Sequence, residues 1–406
     1  MLDGKNRAVL LKGGYVIDPA SERDGVADVL IENGVIVAVD SNISGPEHAT
    51  VVDLSGLIVT PGLIDMHVHC CVTHTRSKLS LHPLVNTFDC GVTTIVDAGT
   101  AGWRDFADFK LDVIDKSKVQ IFSFVNIVGQ GMGAGGLGGE WEHDEWEFRP
   151  KLAAACAEEY SDAVVGIKTA HYWAMREFDD AHKPWTAVDR AVEAGNLCGL
   201  PVMVDFYPML PERPYPDLIL KKLRPGDIHT HVFAQQFPII NAEGKVYDHM
   251  WKARERGIIF DVGHGAASFW FRNAGPAIEQ GFAPDSISTD LHTGNLNGPV
   301  IDMLETMNKI LNLGVPLLDV IEKSTTAPAR EINRPELGTL KPGRVADVAV
   351  FAMREGDFGF VDCGKEKIAG TRRLECQMTF RAGESVWNPN GMGLDHWEQH
   401  EALPAY

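Results

Sequence analysis

Two kinds of hydrophobic pattern divide the chain into a middle and two ends. Residues 8–59 are short runs of alternating apolar and polar residues separated by Gly and Asp, such as AVLLKGGYVID, DVLIENGVIVAVD and TVVDLSGLIVT. A similar pattern returns in ADVAVFAM and LECQMTFRAGESVW, after the turn-rich GTLKPGRVAD. Alternation with a period of two is typical of antiparallel strands that bury one face. The two ends are therefore predicted to form one small β domain together.

The middle alternates apolar, β-branched runs with helix-like stretches. The runs are GLIDMHVH (62–69), GVTTIVDAG (91–99), VQIFSFVNIV (119–128), AVVGIKTA (163–170), PVMVDF (201–206), DIHTHVF (227–233), GIIFDVGHG (257–265) and SISTDLH (286–292). Between them, WRDFADFKLDVIDKSK, WTAVDRAVEAGNLCG and DHMWKARERG have apolar residues near a 3.6 period. Eight strands with intervening helices over about 230 residues predict an α/β fold, the (β/α)8 TIM barrel. An open doubly wound sheet is less favoured, because no glycine-rich fingerprint follows the first strand.

This pattern predicts four segments. Residues 1–59 and 336–390 form the two parts of the small β domain, expected as a sandwich, residues 60–335 form the barrel, and 391–406 form a C-terminal tail. The glycine-rich stretch 129–147 is predicted to be a long loop, either a cover over the barrel or an oligomer contact. The tail could pack on a neighbouring copy, so a homo-oligomer stays open.

Composition narrows the partners and the compartment. The 406 residues are 45% hydrophobic, which is enough for a large core. A net charge of −19 disfavours nucleic acid and anionic membranes as partners. The seven cysteines are scattered without a CxxC pair, which indicates a reducing compartment. We find no signal-peptide or membrane-spanning run and therefore expect a cytoplasmic protein with a small-molecule substrate.

Polar side chains stand where the apolar runs end. In a (β/α)8 barrel the active site is built from the C-terminal strand ends and the loops after them. Apolar runs from six of the eight predicted strands end in side chains that can titrate or bind metal, namely His67 with His69, Lys168, Asp205, His231, His264 and Asp290.

Each of these residues also has a plain structural explanation. His67 and His69 lie two apart on a strand, so both imidazoles leave one face and can meet one ion, but an isolated HxH is a weak signal. His231 could be a core histidine, and Asp290 a strand-end cap. A buried Lys168 would have a lowered pKa and a neutral amine, suited to a Schiff base or to a metal-bridging anion, unless it extends to the rim.

Taken together and in this order, these positions resemble those of the amidohydrolase superfamily of metal-dependent hydrolases. More narrowly the chain resembles the dihydroorotase-related amidohydrolase and deacetylase branch. The similarity covers nearly the whole chain, and the motifs that carry it are PGLIDMHVH, GVTTIVDAG, GIKTA, LRPGDIHTHVF, FDVGHG, DSISTDLHTG and ELGTLKPGRVADVAVF.

The resemblance implies a binuclear centre of two divalent ions, usually zinc, bridged by a lysine carboxylated by CO2 and by a hydroxide. His67, His69 and Asp290 would hold one ion, the carbamate of Lys168 would bridge both, and His231 would belong to the second. Most relatives end strand five with histidine, where this chain has Asp205. A carboxylate can ligate Zn²⁺ and favours harder ions such as Mn²⁺. Alternatively, Asp205 points to water and only one ion binds.

The implied activity is hydrolysis of an amide or ester of a small acyl compound, such as an N-acyl amino acid, by the bridging hydroxide. Asp290 would also move the proton, and His264 would orient the substrate or brace Asp290. Candidates for substrate contact are His171 and His292, with Arg76, Arg104 and Arg149 in loops near the mouth.

Three alternatives remain open at this point. Lys168 could form a Schiff base in an aldolase or lyase. The substrate could be a cyclic amide, as for dihydroorotase. The chain could also be a non-catalytic member of this fold, although such a protein would be expected to have lost ligands.

Overall fold

The computed structural model of the chain describes residues 8–73, 78–133, 139–174, 176–205 and 211–399. The strands are β1 (Val9–Asp18), β2 (Arg23–Glu32), β3 (Val35–Asp40), β4 (Thr50–Asp53), β5 (Ile58–Pro61), β6 (Leu63–Val68), β7 (Val92–Gly102), β8 (Gln120–Asn126), β9 (Val164–Thr169), β10 (Val202–Val204), β11 (Ile228–His229), β12 (Ile259–Phe260), β13 (Val348–Val361), β14 (Lys367–Arg381) and β15 (Glu384–Trp387). The helices are α1 (Phe106–Asp112), α2 (Pro150–Glu159), α3 (Thr186–Cys198), α4 (Tyr215–Asp217), α5 (Asp248–Glu255), α6 (Phe271–Glu279), α7 (Met303–Asn312), α8 (Leu317–Glu322) and α9 (Thr326–Glu331).

The middle of the chain forms a curled parallel sheet. Its seven strands follow the order β6 to β12 in sequence, and each pairs in parallel with the next. Helices α1, α3 and α5 fall inside the stretches whose periodicity predicts them. The predicted α/β architecture with a parallel sheet is therefore confirmed.

The eighth predicted run is the exception to regular pairing. Residues 286–291 form isolated parallel bridges with both edges of the sheet, from Ser286 to Asp261 beside β12 and from Leu291 to Val68 of β6. Further backbone hydrogen bonds join the same segments, including one from the N–H of Asp290 to the carbonyl oxygen of His67 at 2.6 Å. Side chains strengthen this junction, because Asp65 accepts hydrogen bonds from the backbone N–H and the hydroxyl of Thr289 at 3.0 and 2.6 Å. The segment joins the two edges without being a regular strand.

Two hydrophobic layers surround the parallel sheet. Six strands contribute to the inner one, which contains Met66, Val96, Ala98, Phe122, Phe124, Val165, Met203 and Ile228. The larger outer layer packs the opposite faces of the strands against the helices. Because the inner layer fills the lower part of the ring, polar side chains can gather only above it, at the C-terminal strand ends.

The two ends of the chain form one mixed sheet of eight strands. Its order is β15–β14–β13–β5–β1–β2–β3, with β4 beside β1. The association of both ends is as predicted, whereas the expected sandwich is not confirmed, because these strands all belong to one sheet. The domain limits at 59, 335 and 390 stay predictions. None of the helices in the described ranges is long and apolar enough to cross a membrane.

One buried acid at the base of the parallel sheet lacks a full set of partners. Glu331 ends α9, is 6% exposed, and its Oε2 has no hydrogen-bond partner among the described residues. Burial raises the pKa of Glu331 from 4.5 to about 8. Ionising this carboxyl therefore costs the folded state free energy.

We predict that Glu331→Gln unfolds at the same temperature as the wild type near pH 5 and at a higher temperature near pH 8.5. Because the folded-state pKa is raised, its contribution to wild-type stability is complete below pH 4.5 and is lost as the pH rises through about 8. The difference in unfolding free energy should approach about 1.4 kcal/mol per pH unit within this window. Thermal unfolding from pH 5 to 8.5 measures it, with the exposed Glu336→Gln as control. A difference that does not change with pH would contradict the prediction.

Candidate metal centre

Three histidines above the inner hydrophobic layer use their two ring nitrogens in the same way. In each, Nδ1 is held by an oxygen from a different strand or from the residues that follow one, and Nε2 is directed toward a carboxylate. The Nδ1 partners are Thr230 Oγ1 at 2.9 Å for His67, Thr100 Oγ1 at 2.7 Å for His69, and the carbonyl oxygen of Gly263 at 2.6 Å for His231. Imidazoles that ligate metals are held in this way, with the second nitrogen bonded to an oxygen.

Two carboxylates face the Nε2 atoms at distances that suit shared ions. Asp290 Oδ1 lies 3.1 Å from His69 Nε2 and 3.4 Å from His67 Nε2, and Asp205 Oδ2 lies 3.2 Å from His231 Nε2. Two ligands bound tetrahedrally at about 2.0 Å are about 3.3 Å apart. His67, His69 and Asp290 together place one ligand atom each within 4.8 Å of the others. The donors and their spacing fit divalent metal ions.

Lys168, at the end of β9, is fully buried near these groups. Its Nζ has no hydrogen-bond partner within the part of the chain that the structure describes. Burial lowers the pKa of Lys168, although the carboxylates of Asp205 and Asp290 oppose the shift. Gly99 makes room for the side chain, since a Cβ at Gly99 would lie 2.5 Å from Lys168 Cγ. An unpartnered buried amine fits the carbamate that the sequence predicts.

Three residues at the site have a left-handed backbone. Asp290, His231 and His171 have φ angles of 52°, 64° and 54°, a left-handed conformation that side chains rarely adopt. Next to Asp290, a Cβ at Gly265 would lie 2.5 Å from the carboxylate Oδ2. Strain of this kind persists where the surrounding structure enforces it, and it is most frequent at functional sites.

Asp205 is buried, and two histidines contact its carboxylate. It is 6% exposed, and besides His231 it contacts His171, whose Nε2 is 3.4 Å from Asp205 Oδ2. Burial alone would raise the pKa of Asp205, but His231 and His171 hold this pKa well below its usual range. The other nitrogen of His171 is 3.2 Å from Glu142 Oε1. Burial opposes protonation of His171, but Glu142 and Asp205 raise its pKa to about 9.

A cavity of about 430 Å3 opens above these groups. Both predicted substrate-binding residues, His171 and His292, line it. The Nδ1 of His292 accepts a hydrogen bond from the backbone N–H of Gly294 at 2.9 Å, so the proton of the neutral ring is on Nε2. His292 is therefore a hydrogen-bond donor at the cavity wall.

The structure does not bring His264 to the cavity. It is fully buried, its Nε2 is 2.9 Å from Lys309 Nζ, and its ring stacks on Phe269 with centroids 4.8 Å apart. These contacts, together with those of Nδ1, occupy both ring nitrogens and one face of the ring, and none of them is with Asp290. Neither role predicted for His264, orienting a substrate or bracing Asp290, has a contact that supports it.

The loop arginines predicted near the mouth also have other partners. Arg104 pairs with Glu147 at 2.8 Å, Arg149 lies over the ring of Trp146, and Arg76 lies outside the described residues.

Sequence reasoning missed three residues around the cavity. Glu142 and His143 are buried in a short 3-10 turn, Glu140–His143, in the second half of the predicted 129–147 loop, whose residues 134–138 lie outside the description. Arg176 lines the cavity together with His143. No local pattern in EWEHDEWE marks the buried residues, since both of its tryptophans are exposed, Trp141 to 39% and Trp146 to 76%.

Comparison with known proteins gives a consistent result. The Amidohydrolase family matches residues 271–386. A protein of Brucella anthropi named "Deacetylase" is 33% identical over 367 residues, which are 89% of this chain and 88% of the relative. Two solved structures, an adenine deaminase and a dihydroorotase, align with TM-scores of 0.83 and 0.80 at 29% and 28% identity. Each alignment covers 94% of this chain and 99% of the other. The chain belongs to the amidohydrolase superfamily and is a hydrolase of carbon–nitrogen bonds other than peptide bonds.

Proposed function

We propose that this protein removes the acyl group from a small N-acyl compound, such as an N-acyl amino acid, at a centre of two divalent metal ions. The observation that carries the proposal is the pair of imidazole–carboxylate contacts, at His67–His69–Asp290 and at His231–Asp205, beside a buried amine without a partner. The similarity to a deacetylase over most of both chains supports the choice of reaction.

Each of these residues has one place in the proposed centre. His67, His69 and Asp290 would hold the first ion, Asp205 and His231 would hold the second, and Lys168, if carboxylated on its amine, would be a ligand of both. Imidazole with carboxylate oxygen favours zinc, and the extra carboxylate at Asp205 leaves Mn²⁺ as the alternative.

We also propose that the chain divides into its domains at residues 59, 335 and 390.

The chemistry is divided between the ions and the side chains. When bound, the ions supply a water of lowered pKa and polarise the substrate carbonyl. Asp290 would take up a proton as water adds to the substrate carbonyl and would deliver it to the leaving nitrogen. His69 and His231 lower the pKa of Asp290, although burial opposes them, so the carboxyl group is ionised and available to accept a proton. His292 donates its Nε2–H to the substrate and thereby orients it.

Arg176 supports a substrate that carries a carboxylate. Its side chain lines the cavity, and its guanidinium lies 5.0 Å from the ring centroid of Trp173. No carboxylate of the described ranges pairs with it. A guanidinium at the cavity wall can bind a carboxylate through two parallel hydrogen bonds. An N-acyl amino acid places such a group close to the bond that is cleaved.

We expect the purified protein to contain two divalent ions per chain and to lose its activity on chelation. Lys168→Ala should bind at most one ion, because no carbamate can form, whereas Lys323→Ala should retain both. Elemental analysis measures the stoichiometry. Two ions in Lys168→Ala would disprove the bridging role. Trapping of a covalent adduct by borohydride with substrate, together with resistance to chelators, would favour the Schiff-base alternative.

We expect Asp205→Asn to lose one ion and to retain the other. The amide is a weaker ligand than the carboxylate, while the group formed by His67, His69 and Asp290 is unchanged. Elemental analysis after dialysis, with the exposed Asp180→Asn as control, gives the result. Unchanged stoichiometry and rate would remove Asp205 from the proposed ligands.

We expect Arg176→Met to raise KM for N-acyl amino acids about 10- to 100-fold, the effect of losing a hydrogen-bonded charge pair, and to change kcat little. The corresponding N-acyl amino acid amides, which lack the carboxylate, should show no increase in KM. Steady-state kinetics with both series provides the comparison. An equal increase for the acids and the amides would show that Arg176 does not bind the carboxylate.

A further inference from the structure

A buried hydrogen-bond network lies beneath the proposed centre. At its middle is Asp261, which follows β12 and is completely buried. Its Oδ2 accepts hydrogen bonds from Thr230 Oγ1 and from Ser288 Oγ, both at 2.7 Å, and its Oδ1 accepts one from Ser286 Oγ at 3.1 Å. Three hydroxyl groups from two neighbouring segments therefore donate to one carboxylate. None of these residues is among the proposed metal ligands.

The hydroxyl of Thr230 links this carboxylate to His67. A hydroxyl has only one proton, and here Thr230 donates it to Asp261. Toward His67 Nδ1, 2.9 Å away, the Thr230 oxygen can then only accept. His67 must carry its proton on Nδ1, which leaves the Nε2 lone pair directed at the proposed metal position. Asp261 Oδ2 is itself 3.7 Å from His67 Nδ1, too far for a direct hydrogen bond.

His231 shows why His67 needs this link. His231 donates to the carbonyl oxygen of Gly263, which can only accept, so its tautomer is fixed without any further group. The Thr230 hydroxyl can either donate or accept. The direction of its hydrogen bond to His67 therefore depends on whether Asp261 accepts the hydroxyl proton. If Thr230 donated to His67, the imidazole proton would move to Nε2, which faces Asp290 Oδ1 at 3.4 Å. A ring in that state cannot bind a metal ion.

We propose that Asp261 is a positioning residue which, through the hydroxyl of Thr230, fixes His67 in the Nδ1–H tautomer required for metal binding. The inference about metal binding rests on the proposed function, whereas the tautomer belongs to the protein without metal. Asp261 touches neither the substrate nor the ion. It acts two hydrogen bonds away, on the direction in which the His67 lone pair points.

The first test is metal affinity. Thr230→Val preserves the shape and removes the hydroxyl, and it should weaken zinc binding about 10- to 100-fold, while Thr230→Ser should restore it. Asp261→Asn, whose amide can turn the Thr230 hydroxyl around, should resemble Thr230→Val. Thr325→Val is the matched control, because Thr325 is equally buried but donates only to the carbonyl of Ile321. Competition with a chelating dye measures the zinc dissociation constants, and circular dichroism verifies folding.

The second test reads the tautomer directly, without metal. In zinc-free protein labelled with 15N-histidine, His67 should appear as the Nδ1–H form in the wild type and in Thr230→Ser, and as the Nε2–H form in Thr230→Val. The signal is assigned with His67→Gln.

The outcomes separate the two proposals. A wild type that binds no metal but shows the Nδ1–H form would overturn the proposed function and leave the tautomer inference standing. Equal zinc affinity in wild type and folded Thr230→Val, or a tautomer of His67 that does not depend on residue 230, would overturn the inference.

Discussion

Buried charge is the constraint on which this structure depends. Asp65, Asp205, Asp261 and Asp290 are each at most 8% exposed, and Lys168 is completely buried beside them. A carboxylate removed from water must be hydrogen-bonded, paired or bound to a metal ion, or the fold loses several kcal/mol. In this chain, the required partners come from neighbouring strands rather than from solvent. The need to pair these acids therefore also determines how the C-terminal strand ends are held together.

The negative charge that Asp205 brings to the site is offset by a neighbouring side chain. Where a histidine would be uncharged, Asp205 adds a negative charge, and His171 stands against it with a pKa of about 9. The pair of Asp205 and His171 is close to neutral, as a single imidazole would be. Glu142 then holds His171 from the other side. Two further residues, His171 and Glu142, thus take part in holding the carboxylate of Asp205.

The sequence predicted those parts of the structure that depend on local periodicity. Apolar runs with polar ends identified His67, Lys168 and Asp290, because in a parallel sheet the strand end and the site coincide. It could not show that the terminal strands share a single sheet, since the pairing of β5 with β13, from Pro61 to Val348, joins residues far apart in the chain and leaves no local pattern. His264 follows β12, which ends at Phe260, and its ring is held by Lys309 on α7, a contact between distant residues that no local pattern reveals. Arg176 lies where no periodicity indicates which way a side chain points.

The irregular segment 286–291 closes the parallel sheet into a ring, and we call this junction the seam. Its backbone is hydrogen-bonded to both neighbouring edges, for example from the N–H of Val262 to the carbonyl oxygen of Ser286 at 3.1 Å and from the N–H of His69 to that of Leu291 at 2.9 Å, yet it forms no regular strand. His67 and His69 lie on one side of this seam, and Asp290 lies on the segment itself. An ion held by these three residues would cross-link the end of β6 to the segment 286–291. Metal loading would then matter for keeping the ring shut as well as for catalysis.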